Sequence, residues 1–222
     1  MKDIWIIANW KSNKTIAEAL EWIGIAGPDI PRNENLKAAV CPPFCALSEV
    51  KKAVTVGNFP LLLGAQDLSP FGVGAYTGEE PAEILNQLID FAILGHSERR
   101  KYFGESDETV AKKTVEALSN NITPLVCIQN EDTPVPPECR LIAYEPVWAI
   151  GSGFPDTPQN AGDIAKQLKG KYGRNLKVLY GGSVNTQNAK GFIEQENIDG
   201  VLVGNASLSA EEFAEICKNC VL

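Results

Sequence analysis

Phe91-Ala92-Ile93-Leu94-Gly95-His96-Ser97-Glu98-Arg99-Arg100 is the stretch from which the fold is read. Four consecutive apolar residues end at a glycine, and polar residues then open a helical pattern. A run that is apolar at every position is buried on both faces, as a parallel strand covered by helices requires. The same cadence recurs along the chain at Ile4–Ala8, Leu36–Cys41, Leu61–Ala65, Phe91–Gly95, Pro124–Ile128, Leu141–Tyr144, Lys177–Tyr180 and Gly200–Val203. Helix starts fall between these runs. Thr15 with Glu18 and Ser209 with Glu212 have the spacing of capping boxes, and Thr157-Pro158 places proline at the first helical position. Ser106 precedes an acidic first turn, and Asn185 is a fifth candidate cap.

Alternating β and α with eight strands predicts an α/β protein, a (β/α)8 barrel in a single domain spanning residues 1–222. An open doubly wound sheet is the alternative. One interval breaks the rhythm. Between Ile128 and Leu141 lie only residues 129–140, with prolines at 134, 136 and 137. A parallel crossover needs about a dozen residues, and prolines so close together exclude a regular helix interior. The fifth crossover is therefore expected to be extended and helix-free. The 222 residues fall short of the ~250 usual for such a barrel, and much of that deficit lies in this interval.

Composition narrows the class. The chain is 44% apolar and 22% charged, with 19 glycines and 14 prolines, which excludes a disordered, collagen-like or coiled-coil protein. A net charge of −8 argues against a nucleic-acid scaffold or an anionic-membrane partner. It leaves room for a small anionic substrate, because backbone N–H groups hold phosphate without net basic charge. No signal-peptide core or membrane-spanning run is visible. Six cysteines in a chain this large need not form a disulfide framework, and a cytoplasmic, reduced protein is expected. Cys217 and Cys220 have the spacing of a redox pair but close the last helical pattern, so packing is the expected role.

In a parallel barrel, reactive groups belong at the C-terminal ends of strands. Asn9-Trp10-Lys11 follows the first run, and His96-Ser97-Glu98 follows the fourth. Glu145-Pro146-Val147-Trp148-Ala149-Ile150-Gly151 follows the sixth, Gly181-Gly182-Ser183 the seventh, and Gly204-Asn205 the eighth. Each alone reads as an ordinary loop. Together they bring a candidate base, Glu145, an electrophile, His96, a cation, Lys11, and two glycine-rich anion cradles to one face. His96, the only histidine, precedes a short helical run whose dipole disfavours the imidazolium.

Asn9-Trp10-Lys11, Gly95–Arg100, Ala143–Gly153, Tyr180–Val184 and Val203–Leu208 closely resemble signature segments of the triosephosphate isomerase family. So do Val40–Phe44, Gly64–Asp67 and Ser69–Glu79, in order along essentially the whole chain. The resemblance implies a (β/α)8 TIM barrel that interconverts dihydroxyacetone phosphate and D-glyceraldehyde 3-phosphate, a step of glycolysis and gluconeogenesis. It implies no cofactor and no metal. Glu145 would remove a carbon-bound proton, and neutral His96 would move protons between the enediolate oxygens. Lys11 and Asn9 would stabilise the oxyanion and bind substrate. Gly151, Ser183, Gly204 and Asn205 would contact phosphate, with Ser97 and Glu98 supporting the site. Pro146–Ser152 would close as a lid. The loop Asp67–Gly78 would dock into a second copy, giving a homodimer or larger homo-oligomer with Thr77 reaching the partner's site.

The chain departs from the family at four places. Asn205 stands where glycine is common, Ser12 where a larger side chain often follows the lysine, and Gln129-Asn130 where Gly-Glu is usual. The helix after the fifth strand is missing. Two rival functions are a different phosphate-binding barrel isomerase and a catalytically silent triose-phosphate-binding protein. The combined motif set speaks against the first, and the presence of Lys11, His96 and Glu145 against the second.

Overall fold

A computed structural model of the chain describes residues 2–149 and 154–221. Eight parallel strands close into a barrel in sequence order. They are β1 Ile4–Asn9, β2 Leu36–Cys41, β3 Leu62–Ala65, β4 Phe91–Leu94, β5 Thr123–Ile128, β6 Leu141–Tyr144, β7 Lys177–Tyr180 and β8 Gly200–Val203. β1 pairs with β2 from Ile4↔Leu36 to Asn9↔Cys41, and closure comes from Trp5↔Gly200 through Ala8↔Val203. Strand bounds agree with the apolar runs to within one residue. Gly95 falls just past β4, where it turns the chain toward His96.

The pleat explains why the runs are apolar throughout. Alternate residues point to opposite faces. Ile7, Phe91, Ile93, Leu125, Cys127, Leu141 and Leu179 fill the barrel interior. Their neighbours Ile6, Ala8, Val126, Ile128, Ile142 and Val178 belong to the outer core shared with the helices. Both sets are buried, so neither face tolerates polar alternation. Interior space is tight: a Cβ on Gly64 would lie 2.4 Å from the Phe91 ring, so a larger residue in β3 would displace that ring.

The helices start where capping chemistry predicts. Thr15 accepts from the Glu18 N–H while the Glu18 side chain returns to the Thr15 N–H, a complete box before α1 Ile16–Asp29. α2 spans Phe44–Val56 and α3 is a single turn, Ala82–Leu85. α4 covers Ser97–Phe103, and Ser106 caps α5 Asp107–Ser119 through the Thr109 N–H. Thr157 caps α6 Pro158–Tyr172, with proline leading. Two expectations need correction. Asn185 does not cap α7, which runs Ala189–Ile193 behind Asn188. Its Oδ1 instead accepts from the Gln187 and Asn188 N–H groups, using the side chain to close a turn ahead of the helix. At α8, Ala210–Cys220, Ser209 accepts from the Glu212 N–H, but its hydroxyl pairs with Glu211, so that box is only half made.

The fifth crossover contains no helix, as expected. Residues 129–140 form a strap held by local turns. Thr133 and Asn130 bond each other, Lys171 Nζ donates to the Glu131 carbonyl at 3.0 Å, and Cys139 N–H donates to Pro136. Val135 packs on the outer core, and buried Cys139 places its thiol 3.2 Å from the Leu141 carbonyl. The outward residues Val126, Ile128, Ile142 and Tyr144 are all buried within the single chain. The extended strap and the flanking helices thus cover what the missing helix left open. Native-state amide exchange in β5 and β6 of the isolated protein is expected to be as slow as in β4 and β7. Exchange more than about tenfold faster there, slowed only in larger assemblies, would show that the strap does not shield them. Among the described residues no helix is long and apolar enough to cross a membrane.

Candidate active site

At the C-terminal mouth of the barrel lies a cavity of about 380 Å³, lined by Asn9, Lys11, His96, Glu145, Gly181, Ser183, Gly204 and Asn205 among others. Residues from β1, β4, β6, β7 and β8 thus meet because parallel strands deliver their ends to one rim. Asn9 ends β1 and is buried; its Oδ1 accepts from the Lys11 N–H at 3.1 Å. Lys11 has a left-handed backbone, φ 54°, unusual for a residue with a Cβ. That turn sends its side chain across the mouth, where Nζ meets Glu98 Oε1 at 2.5 Å. It also passes the eighth strand's cradle: a Cβ on Gly204 would lie 3.6 Å from Lys11 Cε.

His96 sits between Gly95, at φ +68°, and α4. Its Nδ1 accepts from the Glu98 N–H at 3.2 Å, the geometry of a helix N-cap. A ring nitrogen that accepts a hydrogen bond carries no proton, so the ring is the neutral tautomer with hydrogen on Nε2. Nε2 lies 3.1 Å from Glu145 Oε1. Glu145 follows β6 and is 1% exposed, and its Oε2 accepts from the Ser97 N–H at 2.9 Å. Both carboxylate oxygens are therefore satisfied by donors from the start of α4. Gly181 packs on this carboxylate's stem: a Cβ there would come within 2.9 Å of Glu145 Cγ. Below it, burial pushes the Cys127 thiol well above its ordinary range, and the neighbouring Glu145 charge adds to that.

The side of the cavity after β7 and β8 carries Gly181, Gly182, Ser183, Gly204 and Asn205. Ser183 donates its hydroxyl to the Ala149 carbonyl at 2.7 Å, tying the seventh-strand loop to the segment after Glu145. Tyr180 accepts from the Asp156 N–H at 2.7 Å and stacks on Phe192, anchoring the far end of the same segment. Asn205 is exposed at the start of a 3-10 turn, Asn205–Leu208. Among the described residues no group of three or more His, Cys, Asp or Glu is placed to hold a metal ion.

A protein-family model described as "Triosephosphate isomerase" matches residues 4–135 and 137–220. The chain belongs to the triosephosphate isomerase family. It is 37% identical to a triosephosphate isomerase of Dehalococcoides mccartyi, over all of this chain and 98% of the relative. Identity is 39% to that of Alkaliphilus metalliredigens and 38% to that of Aquifex aeolicus, each over 95% of this chain and 97% of the relative. The Dehalococcoides alignment runs to 250 positions, longer than the chain itself, in keeping with a trimmed member of the family.

Of the residues singled out from the family's motifs, Asn9, Lys11, His96, Glu145, Ser183, Gly204 and Asn205 line one cavity. Ser97 and Glu98 bond Glu145, Lys11 and His96 from beneath it. Gly151 lies outside the described residues, as do residues 150–152 of the segment expected to close as a lid. Thr77 is exposed on the 67–78 loop and lines neither this cavity nor its neighbour. That neighbour, about 280 Å³, opens beside Lys11 and is lined by Phe44, Gln66, Asp67, Arg99 and Phe103. Beneath it Lys113, almost fully buried, bonds Asp67 and Glu105, and Arg99 reaches both carboxylates. Burial raises Asp67 above the usual carboxylate range, with Lys113 opposing.

Two residues around the site escaped the strand-end argument. Gln66 follows β3, and Asp156 closes the segment after Glu145. Gln66's position one residue past a strand was the available signal. Asp156 had none, since its partner Tyr180 lies far away in sequence. Cys217 and Cys220 are free and buried, with both thiols raised by burial, Cys220 to about 11. That is packing behaviour, not that of a reactive thiolate pair.

Proposed function

We infer that this chain interconverts dihydroxyacetone phosphate and D-glyceraldehyde 3-phosphate through an enediolate, by proton transfer between Glu145 and substrate carbon. The observation that carries this is the convergence of a buried carboxylate, a neutral imidazole with its Nε2 proton directed inward, and an ammonium on one cavity. Glu145 takes a proton from the carbon beside the carbonyl and returns it to the neighbouring carbon. The His96 Nε2–H polarises the carbonyl oxygen and shuttles a proton between the two oxygens. Lys11 stabilises negative charge on oxygen, and Asn9 orients the substrate while bracing Lys11. Glu145 accepts from His96 Nε2–H and Ser97 N–H. Substrate must therefore displace the carboxylate from His96, handing that donor to the carbonyl oxygen. Gly151, Ser183, Gly204 and Asn205 are assigned to phosphate, held by backbone N–H groups.

A coupled turnover assay tests the proposal. Steady conversion of either triose phosphate by metal-free protein is expected. Absence of turnover by a folded sample that still binds the substrate would leave only the silent binding protein.

The proposed assembly is a homodimer or larger homo-oligomer. Phe71 and Tyr76 stack at 4.4 Å yet stay nearly half exposed, on a long loop without helix or strand. The adjoining cavity, with exposed Phe103 at its edge, gives such a loop from a second copy a place to seat. Light scattering at micromolar concentration is expected to give at least twice the 24.0 kDa chain mass; a 24.0 kDa particle alone would sink the dimer. The proposed location is the cytoplasm, supported by six cysteines that are all free thiols.

A further inference from the structure

The left-handed backbone at Lys11 needs an explanation. An L-residue pays for that conformation, and strain of this kind persists only where surrounding contacts over-determine it. The contacts are on both sides of the residue. Its N–H is taken by Asn9 Oδ1 at 3.1 Å. Its carbonyl accepts from Gln66 Nε2 at 2.8 Å, and the same amide nitrogen donates its second proton to the Cys41 carbonyl at 2.9 Å. Gln66 stands immediately past β3, so its carboxamide bridges the ends of β2 and the β1 loop. The bond to Cys41, the last residue of β2, fixes the amide in place. The bond to Lys11 then uses that fixed donor to hold the turn.

We propose that Gln66 is a positioning residue for the isomerisation, acting through Lys11. By clamping the Lys11 carbonyl it keeps φ in the left-handed region and the ammonium over the cavity, without itself touching substrate. This rests on the assignment of Lys11 to the oxyanion. The side chain's length is part of the device: Asn would fall one methylene short, and Glu would set carboxylate oxygens against two carbonyls.

The test is a double-mutant cycle with an independent structural readout. Gln66→Glu is expected to lower kcat/KM by about 10- to 100-fold, the scale of a misplaced catalytic group. In a Lys11→Ala background the same change is expected to cost less than about twofold, because the group it positions is gone. An equal loss in both backgrounds, or no loss in the first, overturns the proposal. If Gln66→Glu does not fold, Gln66→Met removes the donors at similar volume and is carried through the same cycle. The 13Cα and 13Cβ shifts of Lys11 supply the readout that does not depend on turnover. They are expected to leave left-handed values in Gln66→Met, and unchanged shifts would overturn the clamp. Because that measurement needs no activity, failure of the clamp is distinguishable from failure of the isomerase assignment, which a wild type without turnover would signal.

Discussion

Replacing Glu145 by glutamine is expected to lower kcat by about 10²–10⁴-fold, the range for loss of a general base. The change is isosteric, so packing against Gly181 and Cys127 survives. The electrostatics do not. Glu145 presents two acceptor oxygens to two donors, His96 Nε2–H and Ser97 N–H. An amide offers one acceptor and one donor, so one of those contacts becomes donor against donor. Substrate, which relieves Glu145 of one donor, would bind with little change in KM. The loss should therefore fall on kcat and kcat/KM together, the signature of an interaction made in the transition state. A Glu145→Gln protein that keeps within about tenfold of wild-type kcat would remove Glu145 from the role of base.

Lys11→Gly separates activity from stability. Removing the ammonium deletes a preorganised charge from the oxyanion, worth about 10²–10³-fold in kcat by analogy with other oxyanion donors. Glycine adopts φ 54° freely, relieving about 1–2 kcal/mol of left-handed strain. Against that stand about 0.4–1 kcal/mol of added freedom in the unfolded chain and a partly exposed ion pair with Glu98 worth about 0–1 kcal/mol. These effects nearly cancel. Unfolding free energy is expected to stay within about 1 kcal/mol of wild type, measured by urea titration beside the turnover assay. A fall of more than about 3 kcal/mol would mean that Lys11 is structural rather than kept in a strained turn for chemistry.

Much of the barrel is legible in the sequence. Eight uninterrupted apolar runs marked eight buried strands, because a strand covered on both faces cannot alternate. The prolines at 134, 136 and 137 ruled out a fifth crossover helix through missing N–H groups and fixed φ, and the structure has an extended strap there. Thr15, Ser106 and Thr157 marked helix starts because capping is local. Asn185 misled for the same reason. An Asn that satisfies nearby N–H groups reads alike whether it caps a helix or closes a turn before one.

What local pattern could not supply was orientation. That Asn9, Lys11, His96, Glu145 and Ser183 stand at strand ends follows from the sequence, and the family motifs made their shared purpose readable. Which nitrogen of His96 carries the proton was decided by Glu98 N–H, a backbone donor placed by the start of α4. The same is true of the two donors that hold Glu145, and of Gln66, whose bond to Lys11 joins positions 55 apart in the chain. The sequence by itself determined the strands, the cap at each of four helices, the helix-free crossover and the set of chemical groups. The tertiary structure alone decided how the strained turn at Lys11 is clamped and how Glu145 is held, because those donors come from different strands, Gln66 after β3 and His96-Ser97 after β4.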